Sequence, residues 1–135
     1  MDIKLLVAGS RGCTNYTMAA EMITAAKVNE WRKYENIVTE IVSGTANGGD
    51  KMGELYARQR NIAIKLFPAA WDIYGSRAGY IRNQQMAEYA DVLIALWDGK
   101  SPGTKNMFTI FKGRKYVYNY VSGQWLRFAE GGSDA

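Results

Sequence analysis

The sequence contains no histidine and a single cysteine, Cys13. Histidine is the commonest general base and the commonest metal ligand in proteins, and with one cysteine besides, the residues that usually hold zinc are missing. One cysteine cannot form a disulfide within the chain, which fits a reducing compartment. We therefore expect neither a metal nor a cofactor.

Long hydrophobic runs are absent as well. The apolar stretch Val92–Trp97 is far shorter than the about 20 residues of a membrane-spanning helix, and the N-terminus lacks the pattern of a signal peptide. A soluble, cytoplasmic protein is expected. With 135 residues, 47% of them hydrophobic, the chain can bury one substantial core but is too short for two ordinary domains. We predict one domain over residues 1–128 and a flexible tail over residues 129–135.

The charge balance is modestly basic. The sequence has 17 Lys and Arg against 13 Asp and Glu, a net charge of +4, which favours anionic partners without identifying one. The basic residues are scattered, whereas surfaces that follow a nucleic-acid backbone usually cluster them. A solvated basic surface is therefore the favoured interpretation, and nucleic-acid binding the alternative.

Strand-like and helix-like segments alternate along the chain. Apolar or β-branched runs predict five strands, at residues 3–8, 37–42, 62–67, 91–97 and 116–121. Helical patterns lie between them, at about residues 16–34, 51–60, 80–90 and 107–111, and residues 75–79 look like a flexible basic link. This alternation predicts an α/β fold: a single Rossmann-like domain whose mainly parallel five-stranded sheet has helices on both faces.

The last predicted strand carries three tyrosines, Tyr116, Tyr118 and Tyr120, on alternate positions. On an edge strand, such an aromatic face is readily covered by a second subunit. Packing in the core against the last helix is the alternative. A homo-oligomer is expected on the first interpretation.

Three glycine-rich loops, at Gly9–Gly12, Gly44–Gly49 and Gly99–Gly103, each follow a strand and precede a helix. The carboxyl ends of parallel strands share one edge of the sheet, where ligands of such folds bind. Glycine lets the backbone approach a bulky anion, and the next helix offers unpaired amides. The loops thus predict a cradle for a nucleotide-type ligand, although neither the dinucleotide-binding nor the P-loop spacing follows the first strand.

Several polar side chains accompany these loops. Arg11 either clamps a phosphate or carboxylate or forms a surface ion pair. Asp50 either contacts ribose hydroxyls or acts as an acid or base, or it caps the helix that follows the second loop. Arg77, Arg82 and Asn83 contact a ligand or form an exposed basic helix start.

Five short segments, taken in order, resemble one known family. They are Gly9-Ser10-Arg11, Ser43-Gly44-x-Ala46-x-Gly48-x-Asp50, Pro68-Ala69-x-Trp71-x-x-x-Gly75, Ala78-Gly79-x-x-Arg82-Asn83-x-x-Met86 and Gly103-Thr104. Over roughly residues 3–112 the chain resembles the YspA-like branch of the SLOG superfamily, which also includes LOG phosphoribohydrolases and DprA single-stranded DNA-binding proteins. The resemblance implies a Rossmann-like fold with a nucleotide-type pocket, in a branch with small members in bacteria and phages.

One departure bears on activity. In LOG hydrolases the glycine-threonine pair is followed by a glutamate that supports glycosidic cleavage, whereas Lys105 and Asn106 follow it here. We therefore expect binding, in order to sense or sequester a nucleotide-derived metabolite or signal. The alternatives are a LOG-like hydrolase of an N-glycosidic or phosphoester bond, with Asp50 as its catalytic carboxylate, and DprA-like single-stranded nucleic-acid binding on Trp71, Tyr74 and Tyr80. The predicted ligand-binding residues are Gly9, Ser10, Arg11, Ser43, Gly44, Gly48, Asp50, Arg77, Arg82, Asn83, Gly99, Gly103 and Thr104.

Overall fold

The computed structural model describes residues 1–130, which form one six-stranded sheet flanked by helices. The strands are β1 (Asp2–Gly9), β2 (Ile37–Ser43), β3 (Ala63–Leu66), β4 (Val92–Trp97), β5 (Arg114–Asn119) and β6 (Gln124–Glu130). The helices are α1 (Tyr16–Tyr34), α2 (Gly49–Gln59), α3 (Trp71–Tyr74), α4 (Ala78–Tyr89) and α5 (Pro102–Ile110), with a 3-10 turn at Gly75–Arg77.

The strand order is β3-β2-β1-β4-β5-β6, and the first five strands run parallel. β2 and then β3 are added on one side of β1, and β4 and then β5 are added on its other side. The strand order therefore reverses between β1 and β4, where open α/β sheets hold their ligands. The Rossmann-like α/β prediction is confirmed.

The sixth strand was not predicted. It pairs antiparallel with β5 through a tight hairpin, in which the Asn119 side chain accepts hydrogen bonds from the amides of Val121 and Ser122, at 3.0 and 3.1 Å. Gly123 completes the turn with a φ of 73°. Because β6 includes Ala129 and Glu130, the last strand passes the domain boundary expected after residue 128. The rest of the predicted tail, residues 131–135, lies outside the described residues.

The sheet is buried on both faces. Alternate residues of β1 point to opposite sides: Leu5 and Val7 join a core with α1 and α2, whereas Leu6 and Ala8 join a core with α4 and α5. This explains why β1 and β4 are continuous apolar runs. Within the described residues, no helix is long and apolar enough to cross a membrane.

A buried polar network connects α1 to β5. Glu30 is fully buried and accepts hydrogen bonds from both nitrogens of the Arg114 fork, at 2.8 and 3.0 Å, from Asn36 at 2.9 Å and from the Tyr116 hydroxyl at 2.7 Å. Two predictions are thereby corrected. The strand of Tyr116 is internal rather than an edge, because β6 covers it, and this ring packs under α1 rather than the last helix. Tyr118 and Tyr120 are partly buried against the same core.

Candidate functional site

A cleft of about 770 Å³ opens at the carboxyl ends of β1 and β4. Its walls come from the β1–α1 loop, the β2–α2 loop, residues 68–83 and the β4–α5 loop. The volume falls within the roughly 300–1,000 Å³ typical of small-molecule sites. The predicted convergence of the three glycine loops thus occurs around one cavity.

The first two loops meet backbone to backbone. A Cβ atom on Gly49 would lie 2.3 Å from the α-carbon of Gly9, so neither position has room for a side chain. The Gly49 amide donates a 3.2 Å hydrogen bond to the Ser10 carbonyl. This contact holds the N-terminus of α2 over the end of β1, beside the cleft.

Asp50 connects the same two loops through its carboxylate. It lies in the first turn of α2 and is 5% exposed. One oxygen accepts from the Gly9 amide and the other from the Ala46 amide, each at 3.2 Å. The cap prediction is wrong in its geometry, since Gly48 is the N-cap and Asp50 accepts from loop amides ahead of the helix.

Arg82, from α4, lies next to Asp50 beside Gly44. Burial raises the pKa of Asp50 to about 6, although the charge of Arg82 and the two backbone amides oppose this. Burial likewise lowers the pKa of Arg82, and Asp50 opposes that shift. The guanidinium donates to the Gly44 carbonyl and, at 3.1 Å, to the Asn83 side-chain oxygen.

Ser10 joins the ends of β1 and β4. Its buried hydroxyl lies 3.3 Å from that of Thr104 and accepts from the Asp98 amide at 3.2 Å. Asp98 in turn accepts from the Ser101 hydroxyl at 2.5 Å, the Ser101 amide at 2.7 Å and the Lys100 amide at 3.0 Å. Burial favours a higher pKa for Asp98, but these hydrogen bonds prevail and lower it to about 2. The Asp98 charge therefore shapes the start of α5.

Asn83 bridges α4 and α5. The side chain is 6% exposed, and its amide nitrogen donates to the Gly103 carbonyl at 3.2 Å and to the Asn106 side chain at 3.0 Å. Its oxygen accepts from Arg82. Because both polar atoms already have protein partners, Asn83 positions the cleft wall.

Arg11 differs from these residues. It lines the cleft, its side chain is exposed, and it has neither a hydrogen bond nor an ion pair within residues 1–130. Gly103 and Thr104, which line the same cleft, lie in the first turn of α5, where backbone amides lack intrahelical partners. No side chain caps α5 or α2. The cleft therefore combines one arginine that has no partner within residues 1–130 with the N-terminus of α5, whereas the Gly49 amide at the start of α2 is already bonded to the Ser10 carbonyl.

Nine of the thirteen predicted binding residues line this cleft: Gly9, Ser10, Arg11, Gly44, Asp50, Arg82, Asn83, Gly103 and Thr104. The other four do not. Ser43 is buried and donates to Glu54 at 2.6 Å, and Gly48 holds the N-cap of α2 with a φ of 87°. Gly99 turns toward the Asn119 side chain, and Arg77 is exposed on the 3-10 turn.

Several lining residues were not predicted to bind: Thr45, Ala46, Asn47, Ser76 and Ser101. Three of the four stretches that supply the walls are glycine loops, and the sequence of a loop does not show which of its positions face inward. Ser76 lies in the segment expected to be a flexible link, which instead forms a 3-10 turn that runs into α4. Trp71 and Tyr80, which the nucleic-acid hypothesis used, also line the cleft.

Comparison with known proteins agrees with this architecture. Residues 3–74 match the family described as "YspA, cpYpsA-related SLOG family". The "Gene 61 protein" of Mycobacterium phage D29 is 36% identical over 72 residues, an alignment that covers 49% of this chain and 58% of the phage protein. The match thus spans little more than half the length of that relative. The family resemblance of the segments after residue 74 stays a prediction.

Proposed function

The chain belongs to the YspA, cpYpsA-related SLOG family, and on that premise we propose that it binds a nucleotide or nucleotide-derived small molecule in the cleft between β1 and β4. Binding would serve to sense or sequester a metabolite or signal.

The observation that carries the proposal is the state of Arg11. An exposed guanidinium without a protein partner among residues 1–130 lies in the same cleft as the N-terminus of α5, which no side chain of those residues caps. Helix N-termini and arginine forks both favour phosphate, through amide donors, dipole and bidentate hydrogen bonds. A phosphorylated ligand supplies the anion that these groups lack.

The carboxylates of the cleft favour binding over cleavage. Glycosidic hydrolysis normally needs an available carboxyl acid and a second carboxylate. Both oxygens of Asp50 already accept backbone amides, and Asp98 is committed to its loop. The residues after Thr104 are Lys105 and Asn106.

A titration of the purified protein with AMP and with ADP-ribose, followed by chromatography of the recovered nucleotide, tests the proposal. Saturable binding with the nucleotide recovered intact is expected. The proposal is wrong if no mononucleotide or dinucleotide at millimolar concentration binds or raises the melting temperature.

One observation favours a second function, hydrolysis of an N-glycosidic or phosphoester bond. A carboxyl group with a pKa of about 6, close to an arginine in a cleft, is a common feature of acid–base catalysts. In this case the chromatography would show a released base or phosphate, and Asp50→Asn would abolish the release. Turnover that survived this substitution would remove Asp50 from the mechanism.

A further inference from the structure

Two exposed aromatic side chains, Trp71 on α3 and Tyr80 on α4, line the same cleft as Arg11. We infer that the ligand carries an aromatic base that stacks on Trp71, beside Tyr80, while its anionic group lies at Arg11. The inference rests on the proposed function and adds to it the chemistry and the orientation of the ligand.

Trp71 and Tyr80 are both largely exposed although they line a cavity. Trp71 is 55% exposed, and Tyr80 is 49% exposed. Within residues 1–130, neither ring has a ring partner, a cation over its face or a side-chain hydrogen bond. The two other tryptophans near the sheet differ: Trp97 packs on Phe108 at 5.1 Å between centroids, and Trp125 packs on Tyr118 at 5.0 Å.

The Trp71 indole lies against the start of α4. Its six-membered ring would lie 3.5 Å from a Cβ atom on Gly79, so it rests beside the first turn of α4 at a position without a side chain. The same cleft has apolar lining from Pro68, Ala69 and Met86. An apolar wall with few polar groups is what a planar base requires, and a free phosphate would use none of it.

Exposure alone does not identify such a site. Trp31 on α1 is 56% exposed, also has no ring partner within the described part of the chain, and lies outside the cleft. What distinguishes Trp71 is that it shares a cavity with an uncommitted arginine. Trp31 is therefore a matched control, since its removal deletes the same surface elsewhere.

The test compares AMP with ribose 5-phosphate, which lacks the base, by isothermal titration of four proteins: wild type, Trp71→Ala, Trp71→Phe and Trp31→Ala. Base stacking on an aromatic side chain corresponds to a loss of roughly 5- to 100-fold on truncation to alanine. We expect Trp71→Ala to weaken the affinity for AMP by this factor and to leave the affinity for ribose 5-phosphate unchanged. Trp71→Phe should restore most of the affinity, and Trp31→Ala should match wild type.

A second measurement does not depend on the stability of the alanine variant. AMP should quench the tryptophan fluorescence of the wild type and of Trp31→Phe, but much less that of Trp71→Phe, because the quenched indole is then absent. Equal quenching in all three proteins would contradict the inference.

The remaining outcomes separate this inference from the proposed function. If wild type binds neither AMP nor any other nucleotide, the proposed function fails and the inference fails with it. If wild type binds AMP, but Trp71→Ala loses no more affinity for AMP than for ribose 5-phosphate, only the inference is wrong. A change of oligomeric state in Trp71→Ala with unchanged AMP affinity would assign the indole to a protein contact and overturn the inference too.

Discussion

The Asp50 carboxylate and the Arg82 guanidinium reach the α-carbon of Gly44 from the same side. A Cβ atom on Gly44 would lie 2.8 Å from the Asp50 oxygen and 2.9 Å from the Arg82 nitrogen. Each group also reduces the effect of burial on the pKa of the other. The missing side chain of Gly44 thus allows a buried carboxylate and a partly buried guanidinium of opposite charge to share one corner of the cleft.

Gly44→Ala should destabilise the protein, because the new methyl group displaces one of these two charged groups. Overpacking of this kind costs about 1–3 kcal/mol in free energy of unfolding. Urea denaturation measures the change. Gly103→Ala is the matched control, since a Cβ atom there would meet no atom within 4 Å. Equal effects of the two substitutions would contradict the crowding at Gly44.

Asp50 should make stability fall as pH rises from about 4 to 7. Its pKa is about 6 in the folded protein, against the ordinary value of 3.8, so over this range the folded state holds a proton that the unfolded state has lost. The free energy of unfolding of wild type relative to Asp50→Asn should fall by up to about 3 kcal/mol, at about 1.4 kcal/mol per pKa unit. Denaturation of both proteins at several pH values measures this.

Asp98→Asn serves as the control for that series. The pKa of Asp98 is about 2, so this group stays ionised in both states between pH 5 and 7. Its stability curve should therefore run parallel to that of wild type over this range. If the stability curve of Asp50→Asn also runs parallel to that of wild type, the pKa of Asp50 is not raised in the folded protein.

Arg11→Ala should weaken nucleotide binding without loss of stability, since the side chain has no protein partner within the described residues. Losing a charge-assisted hydrogen bond to phosphate raises the dissociation constant by roughly 10- to 100-fold. Arg11→Lys should recover part of it, because lysine keeps the charge but not the fork. Isothermal titration with AMP measures both, and Arg32→Ala, which removes an exposed arginine of α1, should bind as wild type. Unchanged affinity in Arg11→Ala would exclude Arg11 from the site.

Glu30→Gln should destabilise the fold far from the cleft. It leaves Arg114 without its charged partner; breaking a fully buried pair costs about 3–5 kcal/mol, and because the Arg114 side chain is 26% exposed, we expect a cost of about 3 kcal/mol or less. Burial favours a higher pKa for Glu30, but its hydrogen bonds with Arg114, Asn36 and Tyr116 lower it. The stability that Glu30 contributes is therefore present at neutral pH and lost on acidification through its folded pKa.

Thermal or urea denaturation tests Glu30→Gln against Glu21→Gln, an exposed glutamate on the same helix. The control should change stability by no more than about 0.5 kcal/mol. AMP affinity should be unchanged in both variants, since neither residue lines the cleft. Equal stability of the two variants would refute the role of the network.

The glycine-rich loops could be predicted as one site because parallel topology brings the carboxyl ends of the strands together. Roles within the site were harder to predict. Asn83 looked like a ligand donor, but its nitrogen and oxygen are occupied by Gly103, Asn106 and Arg82, from α4 and α5. Gly103 and Asn106 lie 20 and 23 residues away in sequence, where spacing carries no information on contact.

The sixth strand and the environment of Tyr116 could not be predicted for a similar reason. Tyrosines at alternate positions of a strand give the same sequence pattern whether the strand lies at the edge of the sheet or in its interior. Only the hairpin to β6 and the position of Glu30 on α1 make Tyr116 internal.

The sequence by itself indicated the fold class through the alternation of strand and helix patterns, the family through the resemblance of its short motifs, and the three glycine loops that follow strands. Only the tertiary structure decided which groups remain available there. Asp50, Asp98 and Asn83 hydrogen-bond to protein groups, whereas the side chains of Arg11 and Trp71 have no such partner among residues 1–130. Availability depends on contacts between distant segments, and folding brings those segments together.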